Sequence, residues 1–109
     1  LIAARSADAR RVSAEREGTR RQLEADLQRD LAQHAMDHDQ WTRARDIVLP
    51  AVMQQSDLET AAYAAGRIGI SEIVQAFTAV ANARLDALDK EAAVMRHAAE
   101  ITLTYGSGR

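Results

Sequence analysis

The chain has 109 residues with one Phe, two Tyr and one Trp, and a formal net charge of −2. One domain is possible at this length, but the apolar content is mostly alanine, and a composition rich in Ala, Leu, Glu and Arg with a single Pro is that of long helices packed side by side. The charge balance excludes a general nucleic-acid binder, and the absence of cysteine excludes a disulfide framework and thiolate chemistry. No apolar run approaches the ~20 residues of a membrane-spanning helix, so a soluble, all-α stretch is expected.

The chain begins at Leu1 without methionine or a signal peptide, and the expectation is a processed chain or a fragment of something larger. Residues 1 to 49 contain no Pro and only Gly18, and they read as one helix. The first third is rich in arginine (Arg5, Arg10, Arg11, Arg16, Arg20, Arg21), but Asp8, Glu15, Glu17 and Glu24 are interleaved at salt-bridge spacing. A solvated, salt-bridged face is the plainer reading, and a patch for an anionic partner is the alternative. Further on, Leu27, Leu31, His34, His38, Trp41, Arg45, Val48 and Val52 recur at alternating intervals of four and three, the spacing of a coiled-coil seam with polar interruptions.

Pro50 removes one backbone hydrogen bond and its ring clashes with the carbonyl of Asp46, so a kink is predicted there within a first helix of about 1–65. A true break into two helices is the alternative. The pattern resumes with Val52, Met53, Leu58, Ala61, Ala62 and Ala65.

Residues 61 to 77, AAYAAGRIGISEIVQAF, organise the whole chain. Gly66 can take the left-handed backbone that closes a helix, Arg67 to Ile70 form a short connection, and Ser71 is the predicted cap of a return helix over about 71–105. So short a connection forces the second helix to run antiparallel to the first. On that helix Ile73, Val80, Ala87, Val94 and Ile101 lie one heptad apart. A second stripe of Val74, Ala81, Leu88 and Met95, extended by Thr78, Leu85, Ala92 and Ala99, makes the apolar face too broad for one partner. Glu72, Asp86, Asp89, Glu100, Gln75, Asn82 and Arg96 should face water. Gly106, Ser107 and Gly108 should end the helix in a linker or terminus.

At about 1.5 Å per residue the arms would reach roughly 95 Å and roughly 50 Å, which leaves residues 1 to about 30, with Val12, Leu23 and Leu27, uncovered within the chain. Folding at the tip puts Ile101 near His34 or Ala35. His34 and His38 stand four apart on one face with Asp37 and Asp39 nearby, a spacing that a divalent metal can bridge. No third ligand is visible, so seam histidines are favoured over metal ligands, and Met36, Met53 and Met95 read as packing residues. No nucleophile beside a base, phosphate loop or paired-carboxylate arrangement is present, so an enzyme is not expected.

From Ala61 to Gly106 the sequence resembles the second periplasmic hairpin of the TolC family of outer-membrane efflux channels. The likeness rests on Tyr63 three residues before Gly66, on Ser71 near the start of the return helix, and on Leu103 to Gly106, a spacing one residue shorter than the family's. Gly66-Arg67-Ile68 and Leu49-Pro50 look more like the heavy-metal cation branch than the multidrug branch. Residues 1 to 45 match only as a generic long helix. The resemblance implies one periplasmic hairpin over 1–109 without its β-barrel, a trimer in the full-length protein, no cofactor, and a passive conduit in a tripartite export pump. Gly66, Arg67, Ile68 and Gly69 would then face the periplasmic adaptor (membrane fusion) protein that joins the channel to an inner-membrane pump. Glu72 and Gln75 would lie at the entrance, where Gln75 stands in place of the usual aspartate. The alternative is a stand-alone coiled-coil scaffold that acts by helix pairing.

Overall fold

From Ile2 to Ala64 the backbone stays helical throughout, because good helix formers fill nearly every position and Pro50 is accommodated without a break. A computed structural model describes residues 2–106. Their order is α1 (Ile2–Arg43), a π-turn (Ala44–Val48), α2 (Leu49–Ala64), a connection, α3 (Ile70–Ile101) and a second π-turn (Thr102–Gly106). No strand occurs among the described residues. Of the stretch expected to close the chain, Gly106 belongs to the second π-turn, while Ser107 and Gly108 lie outside the described residues.

Where the sequence predicts a kink at Pro50, the helix carries the first π-turn and no break. Pro50 has no N–H for the carbonyl of Asp46, and its ring needs that carbonyl moved aside. The preceding turn widens accordingly, and the Leu49 N–H reaches back five residues to the Ala44 carbonyl. Arg43, Val48 and Leu49 all keep right-handed helical dihedrals, so α1 and α2 are one continuous arm.

The two arms form an antiparallel hairpin of 94 × 22 × 17 Å, its length that of the longer arm. On α3 the predicted heptad is the packed seam: Ile73, Ala87 and Val94 are buried and Val80 and Ile101 half-buried, with Ala76 buried between them. Among the described residues the second stripe is left open, and Val74, Leu85, Leu88 and Met95 are each more than half exposed. Glu72, Gln75, Asn82, Asp86, Asp89, Arg96 and Glu100 face water as expected.

On the longer arm the seam differs from the sequence reading. Leu27, His34 and Trp41 do lie on it, but the intervening positions are Asp30, Asp37 and Ala44, whereas Leu31, His38, Arg45 and Val48 are exposed. The π-turn then inserts one residue, so the line continues at Leu49, Val52, Ser56, Glu59 and Ala62, and leaves Met53, Leu58, Ala61 and Ala65 outside it. Two of the polar residues on the true line, Asp30 and Asp37, have their partners across the hairpin.

Before Asp26 every described residue except the half-buried Glu17 is exposed, Val12 and Leu23 among them, while Leu27 is half-buried where the end of the return arm reaches it. That bare stretch carries the ion pairs predicted from spacing: Arg11 with Asp8, Arg20 with Glu17 and Glu24, and Arg21 with Glu17.

The two stripes of α3 make opposite demands on the isolated chain. Val94→Ala should destabilise the hairpin by about 1–2 kcal/mol in urea unfolding followed by circular dichroism, because a buried methyl pair is lost. Leu88→Ala should change it by less than about 0.5 kcal/mol, because Leu88 is already more than half exposed.

Candidate functional site

The tip is set by backbone geometry. Gly66 has φ 71°, the left-handed conformation that an alanine-rich helix needs at its C′ position, and it is the only positive φ among the described residues. The Gly66 N–H donates to the Tyr63 carbonyl at 2.9 Å and the Arg67 N–H to the Ala62 carbonyl at 2.8 Å, the two bonds of a Schellman closure. Nothing lies within 4 Å of where a Gly66 Cβ would sit, so the position requires glycine for its φ and not for space.

Helix α3 starts one residue earlier than its predicted cap. Gly69 is the cap residue in extended backbone, and the carboxylate of Glu72 reaches back to accept its N–H at 2.9 Å. Ser71 therefore lies inside the first turn and makes no capping bond. The acidic side chain wins because it satisfies an orphan donor and also sits at the positive end of the helix dipole. Arg67, Gly69, Glu72 and Gln75 are exposed, whereas Ile68, expected to be exposed, is half-buried at the end of the seam. The tip thus presents one cation, Arg67, beside an anion, Glu72, that is engaged in capping.

His34 and His38 share one side of α1 with ring centroids 6.5 Å apart, and His38 meets the edge of Trp41 at 5.5 Å. The guanidinium of Arg45 covers the Trp41 ring at 4.6 Å. Among the described residues no group of three or more His, Cys, Asp or Glu side chains is arranged to hold a metal ion. His34 instead faces the seam, with its Nδ1 buried and without a hydrogen-bond partner.

At the end opposite the tip the structure brings together residues that the sequence reading did not single out as a site. His97 Nδ1 pairs with Asp37 Oδ2 across the hairpin, and the Tyr105 hydroxyl donates to Asp30 Oδ2 at 2.7 Å. Gln33 donates to the other oxygen of Asp37 at 3.0 Å. That bond, followed by the hydrogen bond and charge of His97, holds the Asp37 carboxyl below its usual range against the opposing effect of desolvation. Its bond to Asp30 pushes the Tyr105 hydroxyl up. A signal for His97 was available, since it lies three residues beyond Val94 on the same face, but its partner is sixty residues away in sequence. The two contacts bracket the level where Ile101 and His34 face one another, which is the register expected from folding at the tip. Asp30 and His97 line a shallow groove together with Gln33, Glu100, Ile101 and Thr104.

No protein family matches the chain, and neither a curated protein nor a solved structure is significantly similar to it.

The two tip glycines should respond differently to substitution. Gly66→Ala should cost about 1 kcal/mol in urea unfolding through φ strain alone. Gly69→Ala should cost less than that, because φ −93° is open to any residue and the added methyl strains only the Glu72 carboxylate that caps the turn.

Proposed function

We propose that the chain is a periplasmic tunnel segment of a TolC-type outer-membrane efflux channel, a wall element of a passive conduit in a tripartite export pump. The observation that carries this reading is the doubly apolar return helix. One seam of α3 is used against α1 and α2, and a second, of equal length, lies open from Val74 to Ala99. A tunnel wall made of antiparallel helices needs each helix to pack on both flanks, and a two-helix pairing does not. The unequal arms support the same reading, because the bare part of α1 calls for a second, end-to-end neighbour.

In this reading the trimer and the rest of the protomer cover the open seam. The β-barrel that would anchor it in the outer membrane of a Gram-negative cell is supplied by other parts of the protein. The work of the segment is assembly and gating. Gly66 to Gly69 form the turn that meets the adaptor, with Arg67 as its polar contact, while Glu72 and Gln75 line the entrance. The Gly-Arg-Ile tip and the Leu-Pro pair favour metal cations as the exported class.

Gly66→Val in the full-length channel tests the tip. A β-branched residue cannot hold the left-handed turn cheaply, so Arg67 and Glu72 are displaced while both seams remain. Export-dependent resistance should be lost while trimers still form. Resistance at the unmodified level would remove the adaptor-docking role and reduce the tip to a connector.

A further inference from the structure

From Val74 to Ala99 the open face of α3 repeats at alternating intervals of four and three, through Leu85, Leu88 and Met95, and no irregularity interrupts the helix between them. That is the spacing of a second coiled-coil seam, about 38 Å long. Val74, Leu85, Leu88 and Met95 on it are 53–61% exposed. Its flanks carry charges that the hairpin leaves unused, since among the described residues no ion pair engages Arg84, Asp89, Glu91 or Arg96. We propose that this seam takes the same seam of a second copy of the chain, antiparallel, with a two-fold axis between Leu85 and Leu88.

The register follows from the order of the side chains. Set antiparallel about that axis, Leu85 of one copy faces Leu88 of the other, Ala81 faces Ala92, Thr78 faces Met95 and Val74 faces Ala99. Outside the two central leucine layers, no two large side chains compete for one layer. Phe77, which is 55% exposed, falls beside the small Ala98 of the second copy on the flank.

The charges agree with that register. In an antiparallel pair each flank of one helix meets the same flank of the other, so Arg84 lies against Glu91 of the second copy, and the two-fold axis makes that ion pair twice. On the opposite flank Asn82 lies against Asp89 and Gln75 against Arg96, which gives each charge an amide. No like charges meet. Within the hairpin Glu91 feels the field of Arg45, but that guanidinium is already paired with Asp46.

A parallel pairing also satisfies the charges, setting Arg84 against Asp89 and Glu91 against Arg96, but it stacks every residue on its own copy. Met95 then meets Met95 while Thr78, Ala81 and Ala92 meet themselves, so wide layers alternate with unfilled ones. It also aligns the two helix dipoles. The layers therefore select the antiparallel form. This pairing belongs to the chain of 109 residues and does not rest on the channel reading, in which other helices take the same place.

Sedimentation equilibrium of the whole chain, with helix content from circular dichroism in parallel, tests the pairing. The unmodified chain should be dimeric. Arg84→Glu and Glu91→Arg should each raise the dimer Kd by about tenfold or more, since each variant sets two like-charged pairs at the interface. An equimolar mixture of the two variants should associate about as tightly as the unmodified chain, because every Arg84–Glu91 position in the mixed dimer again joins opposite charges. Positions 84 and 91 are two turns apart on one helix, so rescue in the mixture arises between copies. In a parallel pair the mixture would keep repulsive contacts with Asp89 and Arg96 and stay weak. A strictly monomeric or trimeric unmodified chain, single variants that associate like it, or a mixture no tighter than its components would each overturn the proposal.

Discussion

Two helices that touch along one line bury a single file of side chains, and everything else in this molecule follows from that limit. The buried residues among those described are Ala44, Ser56, Ile73, Ala76, Ala87 and Val94, none of them aromatic. Such a file gives the arms a register and a direction without giving the chain a core. Small residues let the helices approach closely, and the pairing then depends on how the two ends of the file are finished.

The ends are finished by different physics. At the tip, the chain itself imposes the return: one left-handed glycine, two backbone hydrogen bonds and a glutamate that reaches back over the new helix start. That closure is local. At the open end nothing covalent holds the arms, and contacts between Asp37 and His97 and between Asp30 and Tyr105 do so instead. An end fixed by side chains suits a junction whose neighbours lie beyond the hairpin.

How much of this could be read from sequence depends on how local each cause is. The helices, the turn at Gly66 and the heptad of α3 were legible because propensity, a missing Cβ and an unbroken seven-residue repeat act within a few residues. The seam of the longer arm was not. Leu27, His34 and Trp41 fit two phases equally, and Leu31 and Val48 favour the phase that the structure leaves in water. The phase that packs carries Asp30 and Asp37, whose partners stand seventy-five and sixty residues away, and it is shifted by one at a π-turn that only the collision at Pro50 explains. Ser71 failed as a cap for a related reason: residue type favoured it, but Glu72 could reach the orphan donor of Gly69. Of the candidate site, the tip positions were legible, while the cluster around His97 needed the register of the folded hairpin.

Helix α3 offers two apolar sides, and the oligomeric state of the chain shows whether the second is covered. Sedimentation equilibrium at high micromolar concentration, with helix content measured in parallel, should show self-association of the unmodified chain. A variant with Leu85, Leu88 and Met95 changed to glutamine should be monomeric and equally helical, since those side chains make no seam within the hairpin. A strictly monomeric, fully helical unmodified chain would contradict the account, because the second stripe would then be stable in water and would need no neighbour.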